Sequence, residues 1–350
     1  MEKLSKEDEK EQELLSILKL VSPGTNLRTA IEDVAKAKLG AIIVIGDSPE
    51  VLKLTNGGFE VNCKFNPQKL AELCKMDGAI IIDSEIKKIL FANTLLVPDH
   101  TILSSETGTR HKAAERTAKQ TSQLVITVSE RKNIITIYKG NLKYVLKSSE
   151  DILHRADATL RMLEKEKERF SELALNLNIL EFTNFASIND IILTVQRAEI
   201  SSRIEDIIRR YILELGIEGS LVKIQLKEMR KGIDNEEMLI LKDYSRNDPF
   251  STKVALAELT LEQLIEPNNI MALLGYQKQE ESVIPKGYRI LNKTSLAKNE
   301  IENLITKVLN LNELINNPEN TSGILGEAKA NMLNKEISQL KEQAILGKKI

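Results

Sequence analysis

The sequence predicts an α/β N-terminal domain with a mixed central sheet, followed by an all-α helical spine and a small all-α unit at the C-terminal end. Three observations carry that expectation. Short continuous β-branched runs alternate with helical apolar spacing as far as Val145, the pattern of an α/β layer. Past Ser148 the β-branched runs give way to apolar residues at three-four spacing with charges between them. From Pro285 the helices shorten, and a glycine-marked turn stands between two of them. At 350 residues the chain is also too long for one ordinary domain. The boundaries are expected at 1–147, 148–284 and 285–350.

In chain order, residues 1 to 13 are mostly charged and read as a helix start. Leu14, Leu15, Ile17, Leu18 and Val21 continue it until Pro23-Gly24. Leu27, Ile31, Val34, Ala35 and Leu39 share one face of a second helix, which ends at Gly40. Ala41 to Ile45 is a continuous apolar run and reads as a buried strand. A helix from about Pro67 to Lys75 and strands at Ala79–Ile82 and Ile89–Ala92 follow. Leu124–Val128 and Ile134–Tyr138 pair across a short polar turn. In the spine, Leu153, Ala156, Leu160, Leu163, Phe170, Ala174 and Leu177 form a packing stripe. Lys167 interrupts it, so the helix is not a strict coiled coil. Helices are expected at Ile188–Leu215 and Leu221–Met229, with loop chemistry at Asp243–Pro249.

Composition narrows the function. A net charge of -2 excludes a generally basic nucleic-acid binder, so any such surface is local. Aromatic content of 4% without Trp argues against base-stacking platforms. Two cysteines, Cys63 and Cys74, exclude a cysteine-rich zinc site and fit a reduced, cytoplasmic setting. No apolar run approaches a membrane span, so no membrane partner is expected.

The stretch Ser104–Lys119 carries the chemistry. Hydroxyls and Gly108 lead into Arg110, His111 and Lys112, and then into an alanine-rich helix that includes Ala113. A small-residue turn that starts a helix presents backbone N–H groups and the positive dipole end to an anion. Cations there suit a polyphosphate, and without an anion they are disfavoured at that end. Asp77-Gly78-Ala79 precedes a strand: Asp77 offers an oxygen ligand for Mg2+ or Mn2+, and Gly78 lets a ligand approach the backbone. Ser129-Glu130-Arg131, just past a strand, adds a hydroxyl and a guanidinium. A metal carboxylate beside a cationic phosphate cradle is the equipment of nucleotidyl transfer. The chain has no Walker-type or dinucleotide fingerprint. Glu115 and Arg116 are expected to pair on the helix surface, Glu130 to be solvated, and His100 and His154 to have no site role. In the third unit, a turn at Gly323–Gly326 followed by Lys329 could hold a DNA phosphate without reading sequence.

Met76-Asp77-Gly78-Ala79, Leu96-Val97-Pro98-Asp99 and Ser105-Glu106-Thr107-Gly108-Thr109-Arg110-His111 together resemble the diadenylate cyclase family. Gly46-Asp47-Ser48, Asn56-Gly57-Gly58-Phe59 and Ala118-Lys119-Gln120-Thr121 extend the likeness. Leu180-Glu181-Phe182 and Pro285-Lys286-Gly287-Tyr288-Arg289 carry it on to the branch with a helical spine and a C-terminal helix-hairpin-helix domain. The resemblance implies synthesis of cyclic di-AMP from two ATP, with release of two pyrophosphates. It implies two heads face to face in a homo-octamer, and a C-terminal unit that holds branched DNA and lowers activity when it does. By the same resemblance Asp77 holds the metal, and Gly78 and Leu96 contact the nucleoside. Thr109, Arg110, His111, Lys112 and Ala113 face the phosphates, with Ser129 and Arg131 in support. The family has Arg-His-Arg-Thr where this chain has Arg110-His111-Lys112-Ala113, so a planar fork and a hydroxyl are lost. It has Gly-Ile-Gly where this chain has Ile324-Leu325-Gly326, and the Cβ of Ile324 is expected to oppose a positive φ. Lys348 and Lys349 add charge at the tail. The competing reading is a DNA-structure binding scaffold whose nucleotide site is weak or regulatory.

Overall fold

Four strands with nearly every side chain buried set the architecture of the head. The computed structural model describes residues 6–347 apart from 280, 309 and 317, so Met1–Ser5 of the first predicted helix and Lys348 and Lys349 lie outside the described residues. In chain order the head contains α1 (Lys6–Leu20), α2 (Asn26–Lys36), β1 (Ala41–Ile45), α3 (Pro49–Lys53), β2 (Thr55–Asn56), β3 (Phe59–Lys64) and α4 (Pro67–Leu73). It continues with β4 (Ala79–Ile82), β5 (Lys88–Leu96), α5 (Thr109–Thr121), β6 (Leu124–Val128), β7 (Ile135–Lys139) and β8 (Leu142–Val145).

The strands form one mixed sheet in the order β2-β5-β4-β1-β6-β7-β8, with β3 also paired to β5. Only β1 and β4 run parallel; the remaining pairs are antiparallel. Alternate residues of β1 feed two cores, as a pleated strand requires. Ile43 and Ile45 join the layer containing Ile17, Leu27, Ile31 and Leu70. Ile42 and Val44 join Val51, Ala114 and Ala118, the layer under α3 and α5. Both faces are therefore covered, which explains why β1, β4 and β6 are continuously apolar.

The remainder is helical: α6 (Ser149–Thr183), α7 (Ile188–Leu215), α8 (Ser220–Arg230), α9 (Ile233–Tyr244), α10 (Pro249–Glu258), α11 (Leu261–Ile265), α12 (Pro267–Leu274), α13 (Tyr288–Leu291), α14 (Lys298–Lys307), α15 (Leu311–Asn316), α16 (Pro318–Leu325) and α17 (Glu327–Ile345). Two compact units emerge, residues 1–156 with 210–221, and residues 157–209 with 222–350. In the second unit, the loop expected at Asp243–Pro249 lies between α9 and α10, while Asp243 itself is in the last turn of α9 and buried. Its carboxylate accepts the backbone N–H groups of Gly287, Tyr288 and Arg289 at 2.7, 2.6 and 2.9 Å, fixing the start of α13. Arg289 is fully buried against Glu181 at 2.5 Å, Glu236 at 2.8 Å and Asn178 at 3.0 Å. Polar residues that look like loop chemistry in sequence thus form a buried junction.

Candidate nucleotide site

The site is built where β4, β5 and the first turn of α5 meet. Gly78 stands just before β4 with φ +97°, and a Cβ there would lie 2.8 Å from the Asn93 carbonyl carbon and 2.9 Å from the Thr94 oxygen. The missing Cβ therefore lets the backbone of β5 pack close against it, and Gly78 also lines the cleft. The pairing of β4 with β5 is irregular between Ala79 and Ile81, and Asn93 adopts φ +51° there. Past that irregularity Thr94, Leu95 and Leu96 face Gly78, Ala79 and Ile42. Thr109, Arg110 and Ala113 close a cleft of about 190 Å3.

Helix α5 begins at Gly108 with no side-chain cap. Three backbone N–H groups, at Thr109, Arg110 and His111, therefore have no intrahelical acceptor at the positive end of the helix dipole. The preceding loop is held against the flank of α5. Glu115 is buried and accepts Ser104 Oγ at 2.5 Å, the Ser105 N–H at 3.0 Å and Lys119 Nζ at 2.8 Å. Arg116 Nε donates to the Ile102 carbonyl at 2.8 Å, and Lys119 also donates to that of Leu103 at 2.8 Å. Glu115 makes the expected pair along the helix, with Lys119, but both it and Arg116 also anchor the loop. Burial alone would raise the Glu115 carboxyl, but Lys119, Ser104 and the Ser105 N–H hold it below its ordinary value.

Asp77, almost fully solvent-exposed on the cleft rim, accepts Arg110 Nη2 at 3.1 Å. Arg110 Nη1 stands 4.0 Å from Glu130, which stays largely exposed, the solvated neighbour that the sequence suggests. A Cβ on Gly40 would lie 2.3 Å from Arg110 Nη1; the guanidinium occupies the space that glycine leaves. Of the residues read from the sequence, Gly78, Leu96, Thr109, Arg110 and Ala113 line the cleft. Lys112 is half-buried outside that lining, and Arg131 is exposed. The Ser129 hydroxyl accepts the Lys132 N–H at 3.4 Å within its own turn.

His111 faces the sheet. Its Nδ1 lies 3.0 Å from the Tyr138 hydroxyl and 3.1 Å from Thr127 Oγ1. Tyr138 donates onward to Glu106 at 2.8 Å, and Lys143 sits 2.5 Å from the same Glu106 oxygen. Burial would raise the Glu106 carboxyl, but Lys143 and Tyr138 together hold it low. Burial lowers His111 and raises Tyr138, whose phenol stays protonated. Sequence reading missed Ile42, Thr94, Leu95, Tyr138 and Lys143. Glu106 was inside the motif, but its partners lie on β7 and β8.

Among the described residues no group of three or more His, Cys, Asp or Glu is arranged to hold a metal. The exposed Asp77 carboxylate still fits a hard cation that arrives with its phosphates, because Mg2+ is commonly held by one or two carboxylates plus substrate oxygens. In the C-terminal turn, Gly326 has φ +83° and precedes α17, while Ile324 lies in the last turn of α16. The positive φ of the turn thus falls on Gly326 and not on Ile324, in keeping with the Cβ of Ile324 opposing one, and Gly323 is helical. Lys329 is ion-paired to Glu300.

A family profile described as the DisA bacterial checkpoint controller nucleotide-binding region matches residues 28–142, which contain the whole cleft. The head is a nucleotidyltransferase domain of the diadenylate cyclase type. A second profile, the DisA bacterial checkpoint controller linker region, matches residues 146–283. Relatives called DNA integrity scanning protein DisA include one from Clostridium botulinum, 41% identical over 97% of this chain and 99% of its own length. Another, from Acetivibrio thermocellus, is 41% identical over 96% and 97%; one from Clostridium kluyveri is 40% identical over 97% and 99%. The chain belongs to the DisA family. No helix among the described residues is long and apolar enough to cross a membrane.

Proposed function

We propose that the chain condenses two ATP molecules into cyclic di-AMP and two pyrophosphates, each head contributing half of a shared centre. The observation that carries this reading is the cleft itself. It joins an uncapped helix start, Arg110 and an exposed carboxylate to apolar walls suited to a nucleoside. At about 190 Å3 it falls below the ~300–1,000 Å3 usual for a complete ligand pocket, which favours a second wall from another head. Leu95 in the cleft wall and Val97 just past it leave apolar surface exposed, which supports the same reading.

The nucleoside lies against Gly78 and Leu96, with the phosphates over Thr109, Arg110, His111, Lys112 and Ala113, and Ser129 and Arg131 at their outer edge. Arg110 pairs with Asp77 across the cleft rim. Arg110 is placed to bind phosphate oxygens, and Asp77 would hold Mg2+ or Mn2+ near the attacking hydroxyl. The cation supplies charge neutralisation for the phosphates. The 3′-hydroxyl of each ATP gives up its proton to solvent and its oxygen bonds to the α-phosphorus of the other, as the bond from that phosphorus to the bridging oxygen breaks and pyrophosphate departs. Two such displacements close the ring, so two heads must face one another, here within an octamer. Ala113 gives up a hydroxyl donor to phosphate, an interaction of about 1.5–3 kcal/mol when one partner is charged. Turnover is therefore lower than with threonine.

Functional segments 1–147, 148–284 and 285–350 serve as cyclase, spine and DNA-sensing unit. Gly326 and Lys329 contact branched DNA, and affinity is modest because Lys329 must first leave Glu300. Incubation with ATP and Mn2+ or Mg2+, followed by chromatography, tests the reading. Cyclic di-AMP is expected from the wild type and none from Asp77→Asn with an unchanged circular dichroism spectrum. ATP binding without any product would leave the DNA-scaffold reading in its place.

A further inference from the structure

The protons around His111 can be assigned from their partners. Lys143, 2.5 Å from Glu106 Oε1, keeps that carboxylate ionised, so it can only accept. The Tyr138 hydroxyl has one proton and directs it to Glu106 at 2.8 Å. Its oxygen must then accept from whatever stands on its other side, which is His111 Nδ1 at 3.0 Å. Thr127 Oγ1, 3.1 Å from the same nitrogen, has the Thr136 carbonyl at 3.3 Å as an outlet for its own proton. Nδ1 therefore carries hydrogen, and a neutral His111 keeps its lone pair on Nε2. Isolated histidine favours the opposite tautomer in water.

The chain of contacts also fixes where the ring points. Glu106 belongs to the loop before α5, His111 to the first turn of α5, and Thr127, Tyr138 and Lys143 to β6, β7 and β8. Tyr138 is buried and cannot follow the ring outward. With Nδ1 tied to the sheet, Nε2 is the only ring nitrogen left for the uncapped end of α5.

We propose that Tyr138 and Glu106 are positioning residues of the nucleotide site, holding His111 in its Nδ1–H form so that Nε2 is presented to the phosphate chain. The inference rests on the cyclase reading for its consequence, but not for its geometry. When Nε2 takes a proton from solvent as phosphate charge arrives, the Nδ1–H···Tyr138···Glu106 chain disperses the imidazolium charge toward a carboxylate without Glu106 touching substrate.

The test uses the full chain labelled with 15N-histidine, which contains three histidines. Long-range proton–nitrogen spectra are assigned by the signal lost in His111→Gln. Wild type is expected to show His111 as Nδ1–H, and Tyr138→Phe to move it toward Nε2–H. An Nε2–H wild type, or a Tyr138→Phe spectrum unchanged at His111, overturns the proposal. In ATP turnover, Tyr138→Phe should lower kcat by about 10-fold with KM changed less than about 3-fold, below the ~10²–10⁴-fold of a group that itself transfers a proton. It should add nothing in a His111→Gln background; additive losses refute the coupling. Glu106→Gln leaves the buried phenol in place, so it is the control for misfolding, and should shift tautomer and kcat in the same direction by a smaller factor. If the wild type forms no product, the cyclase reading fails while the spectra still decide this inference.

Discussion

Replacing Glu115 by Gln tests whether the loop before α5 is held by a buried charge. Gln keeps the volume and one acceptor oxygen, but turns an NH2 toward Ser104, Ser105 or Lys119. Three donors converge on the carboxylate, at 2.5, 3.0 and 2.8 Å. A hydrogen bond to a charged group contributes about 1.5–3 kcal/mol and a neutral one about 0.5–1.5, so each bond weakens by roughly 1 kcal/mol. Lys119 is a quarter exposed and is discounted for solvent screening. The two serine bonds leave a loss near 2 kcal/mol, or roughly 30-fold more frequent opening of the loop. Hydrogen-exchange mass spectrometry of a peptide spanning Ser104–Lys112 should show that acceleration, with β1 and β4 unchanged. ATP KM should rise while the circular dichroism spectrum stays the same. Unaltered exchange in that peptide would refute the argument that Glu115 builds the site.

Lys112→Arg restores the planar fork and is expected to leave turnover unchanged or raise it; a large fall in product formation would show that lysine is fitted to this chain's site. Arg289→Ala strands the buried Glu181 carboxylate and should destabilise the helical unit by about 3–5 kcal/mol, read as earlier exchange of α13. A cost under about 1 kcal/mol would mean that water enters the junction. Glu106 and Glu115 both have folded pKa values below their ordinary 4.5, so their stabilisation is complete above that pH and is lost as pH falls through the folded values. Acid titration by circular dichroism should show head unfolding that Glu115→Gln shifts in midpoint and makes shallower; an identical acid transition would remove Glu115 from the linkage.

The strands at Ala41, Ala79 and Leu124 are legible because both sheet faces are covered, leaving uninterrupted apolar runs. β3 and β8 are not, since their alternating exposure resembles polar loop sequence. The cleft is readable where its residues are contiguous, as at Thr109–Arg110, and where a glycine marks a turn, as at Gly78. Glu115 and Asp243 mislead for one physical reason. A charged residue is normally solvated, and only distant partners, Ser104 for one and the start of α13 for the other, make burial tolerable. Tyr138 reads as an ordinary strand aromatic because its hydroxyl partners come from another part of the chain.

Gly40 is not in a left-handed conformation, so its backbone would accept any residue; a Cβ there would stand 2.3 Å from the Arg110 guanidinium, the far end of a flexible side chain. A larger residue at position 40 would therefore be accommodated by re-aiming Arg110, so its cost would fall on the pairing with Asp77 and on the cleft, not on the fold. The aim of the arginine is set seventy residues upstream of its own position.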